Sequence, residues 1–233
     1  MRLLKRFRSF NILATLYFNF KMLKFKQALK LPFIFNHKVR FENISGKIIL
    51  KNKKISRGIV KIGARGSDMF AHSATVIDLK GIVVIDGNVD IGHGCLIRVD
   101  KKGVLSFGNN VTVGAQSKIF CVNKIVFKNQ IDISWECQVF DTNFHYLRNR
   151  TDNSIEEMIG EIEIGSYNWL GNRITVMKNT KTPKNFTVAS NSLCNKSYTD
   201  LPPFSIIGGY PAKLIGSNKE RVFEKLEGFS IEK

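Results

Sequence analysis

Small apolar residues recur every six positions through the middle of this chain, and this spacing constrains the fold more than any other feature. The members of each run are Ile85, Ile91, Ile97; Phe107, Val113, Ile119; Phe127, Ile133, Val139; and Ile164, Leu170, Val176. A period of six is longer than the alternation of a single strand and is not a multiple of a helical turn. It fits a short strand followed by a turn, repeated, with these side chains all pointing toward one axis. The sequence therefore predicts an all-β solenoid.

The ends of the six-residue period divide the chain into predicted parts. Residues 1–43 are predicted to form a basic amphipathic N-terminal segment, and residues 44–216 the solenoid, with irregular first coils. Residues 217–233 are predicted to form a short C-terminal helix, because Ser217 and Glu220 have the spacing of a capping box before an apolar face.

Positive charge is concentrated at the N-terminal end. The formal net charge is +17, and residues 1–54 contain 14 Lys and Arg but one acidic residue, Glu42. Such a field favours an anionic partner, a phospholipid surface or an acidic polysaccharide, while a solvated basic face is the plainer alternative. Residues 1–35 mix Leu, Phe and Tyr with Lys and Arg, so we expect basic helix that caps the solenoid, rests on an anionic membrane, or does both. No nucleic-acid-binding motif accompanies the charge, so nucleic acid is not expected as a partner.

The four cysteines and four histidines do not have the spacing of a metal site. Cys95 and Cys137 occupy inward repeat positions and no CxxC pair occurs, so the cysteines are predicted to be reduced core residues of a cytosolic protein. No metal is expected, because zinc needs several convergent ligands. The uncharged residues 9–20 are too few to span a bilayer, and no cleavage site follows them. We therefore predict a cytoplasmic location, with the inner face of the cell membrane as the site of membrane contact.

Residues 141–161 interrupt the period completely and carry the strongest catalytic candidate, His145. Long excursions from a repeat scaffold are usually functional or disordered, and this one holds a histidine among aromatic and polar residues. An imidazole with a pKa near ~6.5 can accept a proton at neutral pH. Asp141 or Asn143 could hold the second ring nitrogen and set the tautomer. A loop histidine without a catalytic role is the alternative, and it is the favoured interpretation for the other histidines, His37, His72 and His93.

Several motifs together resemble the hexapeptide-repeat acyltransferases. They are the six-residue coils, the segments DTNFH, NWLGN and ASNSLCNK, and the closing GGYPAKLIG. More narrowly, roughly residues 45–216 resemble bacterial sugar O-acetyltransferases of the maltose, galactoside, capsule, O-antigen and sialic acid types. The resemblance implies a left-handed parallel β-helix, although the general preference for right-handed crossovers points the other way. It also implies a homotrimer with acetyl-CoA in the cleft between neighbouring helices and the excursion reaching across it.

The resemblance further implies roles for individual residues. His145 matches the family's catalytic histidine and would take a proton from a sugar hydroxyl during direct attack on the thioester. Trp169 matches a tryptophan beside the thioester, and its indole N–H suits a developing negative charge, with packing at a coil corner as the alternative. The donor-site positions carried over are Gly171, Asn172, Ala189, Ser190, Lys196, Pro211 and Lys213.

Within that set, backbone N–H groups near Ala189 and Ser190 are expected to hold the pantetheine arm of acetyl-CoA. Lys196 and Lys213 are expected near its phosphates, where a flexible point charge is suitable. Pro211 is expected to pack near the adenine.

Two departures from the family pattern affect the site. Asn143 stands where many relatives have Asp, and residues 177–187 lack the usual glycine-rich repeat. The predicted function is an acetyl-CoA-dependent O-acetyltransferase acting on a sugar hydroxyl of a capsule, an O-antigen or a lipid-linked precursor. The alternatives are an N-acetyltransferase of an amino-sugar nucleotide, with the same fold and cofactor, and a non-catalytic solenoid that binds or scaffolds.

Overall fold

A computed structural model describes residues 10–36, 38–52, 54–63, 70 and 73–223. Most of its strands wind into a parallel β-helix whose three sides are three sheets, here called A, B and C. In the regular coils each turn of the chain adds one strand to every sheet, because strands that are three apart in sequence order pair in parallel.

The elements are named in chain order. The helices are α1 (Ile12–Met22) and α2 (Phe25–Ala28). Sheet A contains β1 (Phe33–Phe35), β4 (Val60–Ile62), β7 (Val89–Ile91), β10 (Val111–Val113), β13 (Ile131–Ile133), β18 (Asn168–Leu170), β20 (Phe186–Val188), β22 (Ile206–Gly208) and β23 (Lys213–Gly216). Sheet B contains β2 (Val39–Ile44), β5 (Thr75–Leu79), β8 (Leu96–Val99), β11 (Lys118–Cys121), β14 (Gln138–Phe140), β19 (Thr175–Met177) and β21 (Leu193–Cys194). Sheet C contains β3 (Lys47–Leu50), β6 (Ile82–Ile85), β9 (Val104–Phe107), β12 (Lys124–Phe127) and β17 (Ile162–Ile164). The excursion contributes the pair β15 (Leu147–Arg148) and β16 (Ile155–Glu156).

The apolar residues of the six-residue period form internal columns, one behind each sheet. In one run, Ile85 lies on sheet C, Ile91 on sheet A and Ile97 on sheet B, and each is at least 95% buried. Parallel pairing places equivalent residues of successive coils side by side, as with Val113 and Ile133. Burying one such side chain contributes roughly 1.5–3 kcal/mol. The predicted solenoid and the inward direction of its apolar residues are confirmed.

The β-helix begins before residue 44, where the solenoid was predicted to start. Strands β1 and β2 already belong to sheets A and B, and they pair in parallel with β4 and β5. The register of β2 shifts between Phe41 and Asn43, so this coil does not keep the six-residue period that guided the prediction. The first coil therefore starts at Phe33.

Helix α1 caps the open edge of β1. The Asn19 side-chain amide donates to the Phe33 carbonyl at 2.7 Å and accepts from the Phe33 N–H at 3.1 Å. The Thr15 hydroxyl accepts from the Phe35 N–H at 3.0 Å. These side chains satisfy backbone groups that a first strand would otherwise leave exposed, and Phe18 packs against the rings of both strand phenylalanines. Neither α1 nor any other helix of the described residues is long and apolar enough to cross a membrane.

The C-terminal helix predicted to begin after Ser217 does not start there, because residues 217–223 are not helical. Arg221 forms an ion pair with Asp132 on sheet A, and Phe223 lies edge-on to Tyr167 with ring centroids 6.3 Å apart. These long-range contacts hold the segment across the β-helix. They outweigh the local capping box, which favours a helix. Residues 224–233 lie outside the described part of the chain.

Candidate functional site

The excursion at residues 141–161 is a hairpin with a hydrogen-bonded stem. The Asn143 N–H donates to the Met158 carbonyl at 3.1 Å, and the Gly160 N–H donates to the Asp141 carbonyl at 2.9 Å. An antiparallel bridge between Thr142 and Ile159 lies between these bonds, and β15 and β16 pair farther out. The stem follows β14 directly, so the hairpin leaves the β-helix at the corner between sheets B and C, here called corner BC.

Asp141 anchors this corner. It is fully buried, and its carboxylate oxygens accept the N–H groups of Val122 at 2.8 Å and Asn123 at 2.7 Å. Burial raises the pKa of Asp141, while the backbone N–H donors act in the opposite direction. Within the described residues its carboxylate makes no hydrogen bond to the His145 ring, so its observed contacts hold the hairpin on the preceding coil rather than setting the imidazole tautomer.

Asn143 and Phe144 position the residue that follows them. In the orientation that satisfies its partners, the Asn143 amide nitrogen donates to the carbonyls of Met158 at 3.0 Å and His145 at 2.8 Å. Phe144 has a φ of +65°, a conformation that costs an L-residue about 1–2 kcal/mol. Its ring stacks on Phe120 at 5.1 Å, and its N–H donates to the Thr142 hydroxyl at 3.0 Å. The carbonyl of His145 is therefore held by Asn143 and the residue before His145 is held by Phe120 and Thr142, although Asn143 makes no hydrogen bond to the His145 ring.

The His145 side chain is exposed, and its imidazole forms no hydrogen bond to any other described residue. An exposed imidazole on a braced stem is open to a hydroxyl that approaches from outside. Of the remaining histidines, His93 is fully buried, whereas His37 and His72 lie outside the described residues.

Trp169 lies on another side of the β-helix from His145. It occupies the middle of β18 on sheet A, in register with Asp132, and is 38% exposed. Its Nε1–H points to the Ser134 hydroxyl at 3.4 Å, and the Arg221 guanidinium lies 5.6 Å from the ring centroid. Ser134 begins one of the turns between sheets A and B, here called corner AB, so the indole reaches that corner. A single chain does not bring His145 and Trp169 together.

The donor-site residues nearest to Trp169 meet at corner AB. A Cβ on Gly171 would lie 2.7 Å from the Ser190 Oγ and 2.8 Å from its backbone nitrogen, so this approach requires glycine. The Ser190 hydroxyl donates to the Asn172 side-chain oxygen at 2.6 Å. The Ala189 N–H donates to the Ile207 carbonyl at 2.8 Å, so it is not available to a pantetheine arm as expected, because β22 stacks on the coil that carries it. The Ser190 N–H makes no hydrogen bond within the described chain.

The remaining donor-site residues lie at the C-terminal end. Pro211 and Lys213 are exposed in and after the closing turn, and the peptide bond before Pro211 is cis. This turn lies against β21, since Leu193 donates to the Gly209 carbonyl at 3.0 Å and accepts from the Ala212 N–H at 2.8 Å.

Lys196 is exposed at the opposite end of β21, and its ammonium lies 5.7 Å from the Tyr198 ring. It is therefore separated from Pro211 and Lys213 by a strand of sheet B.

Sequence reasoning missed a polar groove along corner AB and the outer side of sheet B. Its lining residues are Ser73, Gly94, Gln116, Lys118, Glu136, Gln138 and Arg173. Gln116, Glu136 and Arg173 occupy the same place in successive coils, each with a φ near +60°, and Arg173 forms an ion pair with Glu136 at 2.8 Å. A sequence signal for this groove was available, because polar residues recur at one position of the repeat. No group of three or more His, Cys, Asp or Glu residues that could hold a metal occurs in the described ranges.

Comparison with known proteins finds a similar protein by sequence and similar solved structures by fold. No family model matches the sequence. The chain is 24% identical over 173 residues to an Escherichia coli K12 protein named as a lipopolysaccharide biosynthesis O-acetyl transferase, WbbJ, covering 67% of this chain and 87% of that protein. The crystal structure of the polySia specific acetyltransferase NeuO resembles this one with a TM-score of 0.60 and 16% identity, covering 85% of this chain and 82% of that one. The structural likeness confirms the left-handed parallel β-helix, and the names agree with the resemblance to acetyltransferases predicted from the motifs.

Proposed function

We propose that this chain is an acyltransferase that moves the acetyl group of acetyl-CoA to a sugar hydroxyl of a bacterial surface glycan. The observation that carries the proposal is the exposed imidazole of His145 on a hairpin whose stem is braced by the buried Asp141. The activities named for WbbJ and NeuO agree with it. The acceptor class is a capsule, an O-antigen or a lipid-linked precursor.

The chemistry requires a base because a sugar hydroxyl is a weak acid and a poor nucleophile. His145 takes the hydroxyl proton while the hydroxyl oxygen attacks the thioester carbonyl of the donor. The carbonyl carbon gains a bond to the sugar oxygen, its bond to sulfur breaks, and the imidazolium returns the proton to the leaving thiolate. The products are the O-acetylated sugar and the free thiol, and no acetyl group is attached to the protein. The indole N–H of Trp169 donates to the developing negative charge.

The donor lies along corner AB. The Ser190 N–H has no partner among the described residues, so it replaces Ala189 as the backbone donor for the pantetheine amides. Asn172 and Gly171 border the same position, and the absence of a side chain at Gly171 permits the close approach of Ser190. Lys213 and Pro211 extend this surface toward the nucleotide end, and we keep Lys196 as a second cation for the phosphates.

A homotrimer completes the site. Trp169 reaches corner AB, where Gly171, Asn172 and Ser190 meet, whereas His145 leaves the body at corner BC, so one protomer supplies the base and its neighbour supplies the donor site. The hairpin then reaches across the cleft between adjacent β-helices. We place the enzyme in the cytoplasm, at the inner face of the cell membrane, where its basic residues 1–35 face anionic lipid.

The test is incubation of the full chain with isotope-labelled acetyl-CoA and a panel of acidic and neutral bacterial polysaccharides, with the products resolved by mass. We expect one labelled acetyl ester per modified sugar, released by mild alkali. Amino-sugar nucleotides belong in the same panel, because an alkali-stable amide product would assign the chain to N-acetylation. Absence of both acetyl transfer and acetyl-CoA binding would leave a binding solenoid and overturn the proposal.

A further inference from the structure

The outward face of α1 is apolar although it lies at the surface. Its inward face holds Ala14, Thr15, Phe18 and Asn19 against β1. The opposite face carries a set of exposed apolar side chains, which α2 and its C-terminal flank continue; this set, here called the apolar ridge, is Ile12, Leu13, Leu16, Tyr17, Phe20, Phe25 and Leu29. Leu13 is 81% exposed. Apolar side chains exposed as one continuous set are normally covered by a partner, so the ridge indicates one.

The helical region that carries the ridge contains cations and no acidic residue. The exposed lysines of this region are Lys21, Lys24, Lys26 and Lys30. None of them forms an ion pair with another residue in the described ranges. The first acidic residue of the sequence is Glu42, so no carboxylate within the helical region offsets their charge.

We infer that the apolar ridge and its lysines bind the surface of an anionic lipid bilayer. The interface of such a bilayer offers hydrocarbon to the apolar side chains and phosphate or carboxylate headgroups to the ammonium groups. An acidic polysaccharide supplies the anions without the hydrocarbon. A second copy of this face supplies the apolar surface but brings unpaired cations together, which is unfavourable.

The position of α1 suits this assignment. The hydrogen bonds from Asn19 and Thr15 to β1 fix the helix at the N-terminal end of the β-helix, so the ridge faces away from the end of the solenoid. The excursion and corner AB lie on the sides of the solenoid, which leaves the proposed catalytic cleft open while the end is on the membrane. In a trimer of parallel β-helices, a point that rests on the proposed function, the ridges share one end and bind together, which strengthens attachment.

The experiment is co-sedimentation of the full chain with vesicles of phosphatidylcholine containing about 30 mol% phosphatidylserine, compared with phosphatidylcholine alone. The ridge variant carries Leu13→Ser, Leu16→Ser and Phe20→Ser. We expect binding to the anionic vesicles, weakening as NaCl rises from about 0.1 M to about 0.5 M, and about tenfold or greater loss in the ridge variant. The matched control is Ile155→Ser with Leu214→Ser, two similarly exposed apolar positions elsewhere, which keeps wild-type binding.

Thermal unfolding of each variant checks that the fold is intact, as expected because the substituted side chains point outward. Equal binding of the ridge variant and the wild type would overturn the inference, and so would equal binding to both kinds of vesicle. A change in the mass of the lipid-free protein in sedimentation velocity, confined to the ridge variant, would assign the ridge to contact between copies instead. Because the readout is lipid binding, it is independent of whether acetyl transfer occurs.

Discussion

The regular coils and the excursion use their residues in opposite ways. Along β10 and β13 every second side chain is at least 99% buried, and the parallel pairing continues from coil to coil. In the excursion every residue from 144 to 157 is exposed, and the segment is held by its stem, one short strand pair, the Phe144 ring and a hydrogen bond from Lys178 to the Glu157 carbonyl. The coils therefore supply stability and contribute binding surface at their corners and on their outer faces. The excursion contributes little to stability and carries a side chain that the solvent can reach.

This difference predicts that stability and activity can be separated by substitution. Changes in the coils are expected to alter the free energy of unfolding, and changes at the excursion to alter the rate of acetyl transfer. Asp141 and Phe144 in the stem contact both regions, so substitutions there can change both the stability and the rate.

His145→Ala is expected to have the largest effect on rate. Loss of the general base lowers kcat/KM by about 10²–10⁴, roughly 3–5 kcal/mol of transition-state stabilisation, with an unchanged free energy of unfolding. Release of free CoA thiol measures the rate, and chemical denaturation measures the stability. Thr151→Ala at the exposed tip of the same hairpin is the matched control and keeps wild-type values. A rate within a few-fold of wild type would make His145 an ordinary loop residue.

Leu105→Ala is expected to show the reverse pattern. Leu105 is fully buried in β9, so its truncation leaves a cavity and costs about 2–5 kcal/mol of unfolding free energy. Below the lowered unfolding transition, kcat stays near the wild-type value because corner AB and the hairpin are not touched. Its neighbour Ser106 points outward, and Ser106→Ala serves as the control with little change in the denaturation midpoint. The comparison fails if Leu105→Ala loses activity while its midpoint matches that of the control.

Phe144→Ala tests the junction between the two regions. Removing the ring from its stack on Phe120 and its edge-to-face contact with Phe140 loosens the segment that places His145, so kcat falls about 10–50-fold while the free energy of unfolding changes by about 1 kcal/mol or less. Phe144→Tyr keeps the ring and restores the rate. Lack of rescue by tyrosine would contradict a positioning role.

Much of the scaffold was predictable because one physical constraint repeats in every coil. Residues such as Ile91 and Ile133 must point to the axis, and the period records this directly. The first coil was not predicted, because the irregularity at Phe41 breaks the six-residue period, although the strands of this coil pair in the sheets. The capping box at Ser217 misled for another reason: the ion pair of Arg221, formed across the fold, outweighs a local helix signal.

The candidate site was predictable in part. His145 and Trp169 were identified from motifs, but the spacing did not show that they lie on different sides of the β-helix. Whether the N–H of Ala189 or of Ser190 is free depends on which coil stacks on which, and pairing between distant strands decides this. The groove residue Arg173 had a sequence signal, polar residues at one repeat position, but the stacking of the coils was needed to show that these residues share a corner.

Trp169→Phe tests a residue that lies in the coils but is expected to affect activity rather than stability, as the excursion residues do. The substitution keeps an aromatic ring on sheet A and removes the indole N–H, so we expect a loss of about tenfold in kcat with little change in stability. Trp135→Phe is the matched control, because Trp135 lies at corner AB and only its backbone carbonyl accepts hydrogen bonds, from Arg173 and Cys137. Equal activity of the two variants would restrict Trp169 to packing.

The smallest expected effect concerns the cysteines of the coils, whose thiols are expected not to react in the native protein. All four cysteines are buried and free, and burial raises the pKa of Cys95 and Cys194 to about 12 and of Cys137 to about 11. The pKa of Cys121 is raised as well, by burial and by the neighbouring Asp141. A raised thiol pKa means that thiolate is scarce below it, so at about pH 8 no more than roughly one thiol in a thousand is ionised, and steric closure slows reaction further. Ellman's reagent is therefore expected to modify no cysteine rapidly in the native protein and all four after unfolding. A single fast thiol in the native state would show that a coil opens to solvent, and it would remove the distinction between the two regions.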